Sequence, residues 1–200
     1  MSLEADRIAS LYERHANAYD KLRGRDLFEK SWLDRFAMLL PRGGSILDIG
    51  CGMGEPIARY LIEAGHPVTG IDSSPTLIDT CRARFPEQAW EVADMRGLAL
   101  ERRFDGLIAW DSFFHLRPND QRGMFGVFGA HATPGAALMF TSGPADGIAM
   151  GTFEGEPLYH ASLDAGEYRA LLGQNRFDVV AHAVEDPSCG GHTVWLARRM

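Results

Sequence analysis

Cysteine is scarce in this chain. Cys51, Cys81 and Cys189 are the three present, an odd number without CxxC or Cys/His ligand spacing, which argues against a disulfide framework and against structural zinc. Long apolar runs are missing too: none approaches the roughly 20 residues needed to cross a bilayer, so no membrane partner is expected. No charged segment leading into an apolar one opens the chain, so a secretory leader is not evident and the expected location is cytoplasmic. Positive charge is in deficit, with 20 Lys and Arg against 27 Asp and Glu and a formal net charge of −7. Nucleic-acid binding draws on a basic stripe that displaces counterions, and here basic residues cluster only as Arg82 with Arg84, Arg102-Arg103 and Arg198-Arg199. These read as solvated ends of helices and strands, so no nucleic-acid partner is expected. Internal repeats are absent. What is present, 200 residues of which 46% are hydrophobic, makes a single soluble domain over 1–200 with a substantial core, as a monomer or homodimer.

Residues 1–42 read as a helical cap. Ile8, Leu11, Tyr12 and His15 share one face, and Phe28, Trp32, Phe36 and Leu40 another, which gives two helices with a turn between them at Tyr19 to Gly24. From Ser45 strands and helices alternate through 43–141. Strands are expected at 45–49, 68–71, 89–93, 104–110 and 136–141, with Ser74-Pro75 capping and opening one of the helices. Residues 142–157, with four glycines and two prolines, read as a long lid loop, and Asp164 with Glu167 opens a further helix. Two strands over 177–185 and 192–198 close the chain, joined by a link too short for a crossover, so they pair antiparallel. The class is α/β: a doubly wound, mostly parallel seven-stranded sheet with an antiparallel C-terminal hairpin and an N-terminal helical cap.

The stretch Ser45-Ile46-Leu47-Asp48-Ile49-Gly50-Cys51-Gly52-Met53-Gly54-Glu55-Pro56 organises this core. An apolar strand, a turn with three glycines spaced two apart and a following helix bring bare backbone toward a ligand. In open α/β sheets ligands bind at the carboxyl ends of the strands. Asp48, Asp72, Asp94 and Trp110-Asp111 all end strands, so carboxylates converge on one rim. Asp72, twenty residues past the glycine turn, is placed to accept from a ribose diol. A dinucleotide needs a small residue at the sixth position of the turn, where Glu55 stands and would face a diphosphate. A ligand with a cationic centre and no phosphate meets no such penalty.

The motifs Leu47 to Gly54, Gly70-Ile71-Asp72-Ser73-Ser74, Ala93-Asp94-Met95 and Phe104 to Ile108 running on to His115-Leu116 follow one another in an order and spacing that resemble the class I S-adenosylmethionine-dependent methyltransferases of the small-molecule kind. The resemblance spans residues 45–141, and the terminal strand His192 to Leu196 also fits. It implies a Rossmann-like methyltransferase fold and S-adenosylmethionine as cofactor, leaving S-adenosylhomocysteine as product. On that resemblance Gly50, Cys51, Gly52 and Gly54 pass under the methionine moiety, and Asp48 holds its ammonium group. Asp72 with Ser73 takes the ribose, and Asp94 with the Met95 backbone reads adenine. Trp110 offers a backbone carbonyl, and Tyr19 resembles a tyrosine that holds the methionine carboxylate.

The sulfonium methyl is already activated, so the enzyme's work is to align a nucleophile and exclude water. A base is needed only where the acceptor must lose a proton. His115 is the first candidate and Asp111 the second, with His160 and His192 behind them. Phe113, Phe114, Met150, Phe153 and Tyr159 are candidates for an apolar wall that receives an uncharged or aromatic small-molecule acceptor. No carboxylate and asparagine cluster of the metal-dependent type is recognisable, and no metal is expected. An NAD-dependent oxidoreductase on the same fold and a non-catalytic cofactor-binding module are the alternative functions.

Overall fold

The computed structural model describes residues 3–200, with Met1 and Ser2 outside the described part. Its centre is a seven-stranded sheet built from β1 (Ile46–Ile49), β2 (Val68–Asp72), β3 (Ala89–Val92), β4 (Phe104–Ala109), β5 (Ala132–Ser142), β8 (Phe177–Asp186) and β9 (His192–Arg199). The spatial order is β3-β2-β1-β4-β5-β9-β8. The first five strands run parallel, and β9 pairs antiparallel with both β5 and β8. Order reverses between β1 and β4, which places the switch point beside the glycine turn.

The central strands are apolar because both their faces are covered: β1 is buried throughout and β4 nearly so. On one face α6 (Pro118–His131) and α7 (Ala165–Gln174) pack an aromatic core in which Phe113, Phe125, Phe128, Phe140, Tyr168 and Trp195 touch. On the other, α3 (Lys30–Ala37), α4 (Ile57–Glu63) and α5 (Pro75–Arg84) bury Trp32, Phe36, Leu61 and Ile78. Gly106 lets α3 approach β4, since a Cβ there would lie 2.6 Å from Phe36 Cζ.

Four expectations need correction. The cap holds three helices rather than two: α1 (Leu3–Arg14), α2 (Ala16–Leu22) and α3. The turn expected from Tyr19 begins at Arg23, because Tyr19 lies inside α2 and accepts the Arg23 N–H at its end. No α-helix joins β3 to β4, only a short 3₁₀ turn at Met95–Gly97. The lid loop is a two-stranded ribbon of β6 (Gly147–Phe153) and β7 (Glu156–Ser162). Gly155 serves the turn, where it and Glu154 both have positive φ, while Gly147 and Gly151 lie within β6, and Pro157 is tolerated because a two-stranded ribbon has open edges. Burial then alternates along β7, with Tyr159 and Ala161 facing in.

Candidate active site

The glycine turn is held shut by its own backbone. Gly50 and Cys51 donate to the Ile71 carbonyl at 2.8 and 2.9 Å, and Gly54 donates to the Cys51 carbonyl at 3.0 Å. Gly52 donates to Asp72 Oδ2 at 3.0 Å. Gly50 has φ +77°, and a Cβ on it would sit 2.3 Å from Ser112 Cβ, so only glycine fits. The expected ligand approach is therefore only part of the reason for these glycines. Ser112 stands over Gly50, Tyr19 over Gly52, and Phe85 with Cys81 over Gly54. Ser112 in turn donates to the Ile49 carbonyl at 2.6 Å.

The strand-end carboxylates fall on the rim as expected, in different states. Asp48 is buried, and burial together with the neighbouring Asp72 pushes its acid up to about 7. Asp72 is pushed up to about 6 by burial, against the pull of backbone N–H groups from Ser74, Gly52 and Ser73. Asp94 is half exposed and committed to Arg96, whose side chain lowers its acid while its N–H is capped at 2.9 Å. Glu55 does not stand open toward the turn: it forms ion pairs with Arg59, with Arg25 at 2.6 Å and with Arg84 at 3.9 Å. Glu55, drawn aside by these arginines, is therefore not what opposes a diphosphate at the turn. Four of the turn's N–H groups, at Gly50, Cys51, Gly52 and Gly54, are already engaged within the protein, which leaves a diphosphate fewer backbone donors.

Two concavities meet on this rim. One is lined by Gly50, Gly52, Asp72, Ser73, Asp94 and Met95 and roofed by Ile8, Ala9, Tyr12 and Tyr19 of the cap, and it runs under Tyr19 to Asp48, Cys51, Gly54 and Trp110. The Cys51 side chain points away from it, toward Gly70 and Cys81. The second is a chamber lined by Phe114, Ser142, Pro144, Leu158, His160, Glu185 and the turn Gly190 to Thr193. Tyr19 and Asp111 border every one of these spaces, which puts them at the junction.

His115 is buried between the two. Its Nδ1 lies 2.8 Å from the Tyr159 carbonyl, and its Nε2 lies 3.1 Å from the Tyr12 hydroxyl. A carbonyl only accepts, so Nδ1 carries the proton and Nε2 accepts from Tyr12. Burial lowers the imidazole to about 4. His115 is thus neutral with its lone pair occupied. His160 packs 5.0 Å from it, ring to ring, and also against Phe114. Phe113 and Tyr159 belong to the core rather than to a wall, while Phe153 stacks on Tyr12 and Met150 is exposed.

Two participants, Tyr12 and Arg23, escaped the sequence reading as site residues, and so did the pairing of His192 with Asp111, both of which it names as candidate bases. Tyr12 was legible only as one member of an apolar helix face. Arg23 lines both spaces and is ion-paired to the fully buried Glu29. His192 reaches Asp111 at 3.1 Å across 81 residues of chain. Asp111 itself has φ +48°, sparsely populated for a residue with a side chain, and its N–H donates to Thr141 Oγ1 at 2.9 Å.

The sheet order, the reversed terminal pair and a rim of acids about a glycine turn are the Rossmann-like methyltransferase fold. Residues 46–135 match the methyltransferase domain family. It is 30% identical over 176 residues to the malonyl-[acyl-carrier protein] O-methyltransferase of Pseudescherichia vulneris, covering 85% of this chain and 62% of that protein. It is 26% identical over 132 residues to a dTDP-amino-trideoxyglucose N,N-dimethyltransferase of Streptomyces venezuelae, covering 62% of this chain and 55% of that one. The chain thus spans little more than half the length of these curated relatives. Among solved structures, the 1,6-didemethyltoxoflavin N1-methyltransferase of Burkholderia thailandensis aligns with a TM-score of 0.73 at 21% identity over 100% of this chain and 92% of that one. An S-adenosylmethionine-dependent methyltransferase of Clostridium acetobutylicum aligns at 0.73 and 14% identity, over 94% and 99%. Among the described residues no helix is long and apolar enough to cross a membrane, and no group of His, Cys, Asp and Glu is arranged to hold a metal.

Proposed function

We propose that the protein transfers the methyl group of S-adenosylmethionine to a small-molecule acceptor. The observation that carries this reading is the pair Asp48 and Asp72. Burial raises both acids, and neither forms an ion pair with a cation among the described residues. Such carboxylates call for a ligand that is itself cationic and rich in hydrogen-bond donors. A ligand with an ammonium group and a ribose diol fits, and the occupied N–H groups of the turn disfavour a nicotinamide dinucleotide. Bound S-adenosylmethionine would supply a methyl group already activated on sulfur.

The protein's own residues then divide the work. Asp48 receives the ammonium, with Gly50, Gly52, Gly54 and the Trp110 backbone around it. Tyr19 and Arg23 face the carboxylate end, Asp72 and Ser73 take the ribose, and Met95 and Asp94 border the adenine. Tyr12, Tyr19 and Phe153 close the cap over the donor and keep water out. The chamber beyond Asp111 receives the acceptor. No nucleic-acid partner enters this reading, and the free Cys51, Cys81 and Cys189 suit a cytoplasmic protein acting as monomer or homodimer.

Calorimetry with S-adenosylmethionine and S-adenosylhomocysteine tests the cofactor. Failure of both to bind in the micromolar range sinks the reading. A screen of metabolite extracts with methyl-labelled donor tests turnover, because a pure binding module labels nothing.

A further inference from the structure

The chamber holds an unusual balance of charge. Its two cations are already engaged: Arg23 with Glu29, and His192 with Asp111. Its other carboxylate, Glu185, adds negative charge. An anionic acceptor entering here meets no unengaged cation among the described lining residues and two carboxylates.

His192 has its protonation set by geometry. Nδ1 lies 2.8 Å from the Cys189 carbonyl, and Nε2 lies 3.1 Å from the Asp111 carboxylate. Both partners only accept, so both ring nitrogens must donate and the ring is an imidazolium. The ring also stacks on Phe28 at 5.2 Å and on Trp110 at 5.5 Å, aromatic faces that favour a cation. Although burial pushes this imidazole down, the Asp111 bond and charge, the Cys189 carbonyl and Glu29 lift it above its ordinary value. Glu29 sits fully buried at the start of α3 with Oε2 unpartnered. Asp111 faces Thr141 of β5, and its charge reaches Tyr12 of α1, Tyr19 and Arg23 of α2, His115, and His160 of β7.

We propose that Asp111, clamped by the His192 imidazolium at the mouth of the chamber, is the base that takes the proton of an uncharged hydroxyl or ring N–H acceptor, and that carboxylate acceptors are refused. This rests on the methyl-transfer reading above. As the acceptor oxygen or nitrogen bonds the methyl carbon and the carbon–sulfur bond opens, Asp111 takes the acceptor's proton and later releases it to water. The sulfonium becomes a neutral thioether, and the acceptor leaves methylated and uncharged. A carboxylate suffices as base because the O–H or N–H turns strongly acidic once the new bond to carbon forms. His115 cannot serve, since Tyr12 occupies its lone pair. Phe114 and His160 supply aromatic surface for the rest of the acceptor, and Ser142 and Thr193 supply hydroxyls.

Nitrogen-15 spectra of the full chain at pH 7.5, with His192→Gln to assign the ring, provide a test that needs no acceptor. Two protonated nitrogens on His192, reverting to one in Asp111→Asn, support the proposal. A single protonated nitrogen on His192 in the unaltered chain overturns it. Methyl-labelled donor is then offered with a mixture of phenols and N–H heteroaromatics, and separately with a mixture of carboxylic acids. Label entering the first mixture supports the proposal when Asp111→Asn cuts kcat by about 100-fold or more, the usual contribution of a positioned base. Label confined to the acids, none in the first mixture, or an unchanged kcat in Asp111→Asn overturns it. Calorimetry of the unaltered chain with S-adenosylhomocysteine separates the two levels: no binding removes the methyl-transfer reading, whereas binding with a neutral His192 removes the acceptor assignment alone.

Discussion

The donor rim and the acceptor chamber share Tyr19 and Asp111 yet are built on opposite electrostatic plans. On the rim, Asp48 and Asp72 are buried acids raised to about 7 and about 6. In the chamber, both cations are matched within the protein, His192 to Asp111 and Arg23 to Glu29, Glu185 adds negative charge, and the uncharged His115 between the two spaces is lowered to about 4. On the methyl-transfer reading the rim is an incomplete site that a cationic ligand would complete. Among its described lining residues the chamber has no cation to spare, so on the same reading it refuses anions and selects among uncharged acceptors by shape and by the proton it can remove.

The largest expected effect is in the pH dependence of stability. A carboxyl raised in the folded state stabilises fully below its unfolded value near 4, and that contribution is lost as pH rises through its folded value. For Asp48 the span to about 7 is worth on the order of 4 kcal/mol. His115 works the other way. Its lowered value makes the folded state gain on the unfolded one as pH rises from about 4 to its ordinary 6.5, so the raw curve mixes the two. The difference between Asp48→Asn and the unaltered chain isolates the rim. Urea unfolding of both at pH 5 and pH 8 should show the variant gaining by about 2 to 4 kcal/mol over that interval while losing cofactor affinity. A parallel pH response of the two proteins would show that Asp48 is not held raised.

Next in size is Gly50→Ala. Its φ of +77° costs a side-chain residue about 1–3 kcal/mol, and the 2.3 Å approach to Ser112 Cβ adds a displacement of the turn. S-adenosylhomocysteine should bind on the order of 100-fold more weakly, with the far-ultraviolet dichroism unchanged. Tight binding by this variant would mean that the turn can relax without moving the ligand.

Asp72→Ala should weaken the same binding by about tenfold or more, roughly 1.4 kcal/mol, for the loss of a charge-assisted bond. Part of that loss comes through the protein, because Asp72 also holds the Gly52 N–H and the Ser74 N–H. Asp72→Asn keeps an acceptor for one of these and should fall between.

The rim was legible in the sequence for a physical reason. Each of its groups lies at a strand end or in one local turn, so a spacing of some twenty residues fixes its place on the sheet. The parallel alternation of strands and helices and the antiparallel close were legible on the same basis. The chamber was not, because its pieces come from α1, α2, the segment after β4, the β6–β7 ribbon and the turn at 187–191, and no local pattern joins His192 to Asp111 or Arg23 to Glu29. The ribbon was misread because glycine and proline signal a loop unless their places in a hairpin turn and on an open edge are known. Glu55 was misplaced for a related reason: the three arginines that draw it aside come from the cap, α4 and α5.

The smallest expected effect lies where the ribbon meets the cap. Glu156, next to the ribbon's turn, pairs with Arg14 at 2.5 Å and His15 at 2.7 Å, joining the lid to α1 and to the start of α2. The contact resembles a latch, yet all three side chains are a quarter or more exposed, and pairs in water contribute little. What holds the ribbon down is buried instead. Phe153 stacks on Tyr12, Tyr159 is almost fully covered, and the Tyr159 carbonyl accepts from His115. Glu156→Gln should therefore change the KM for the donor by at most about threefold, and 0.5 M salt should erase even that. Phe153→Ala, which removes the ring between Tyr12 and Tyr19, should raise that KM by about tenfold at either salt concentration. If the order of the two effects were reversed, the lid would be held by charge, and the chamber's closure would follow the same electrostatic logic as the rim.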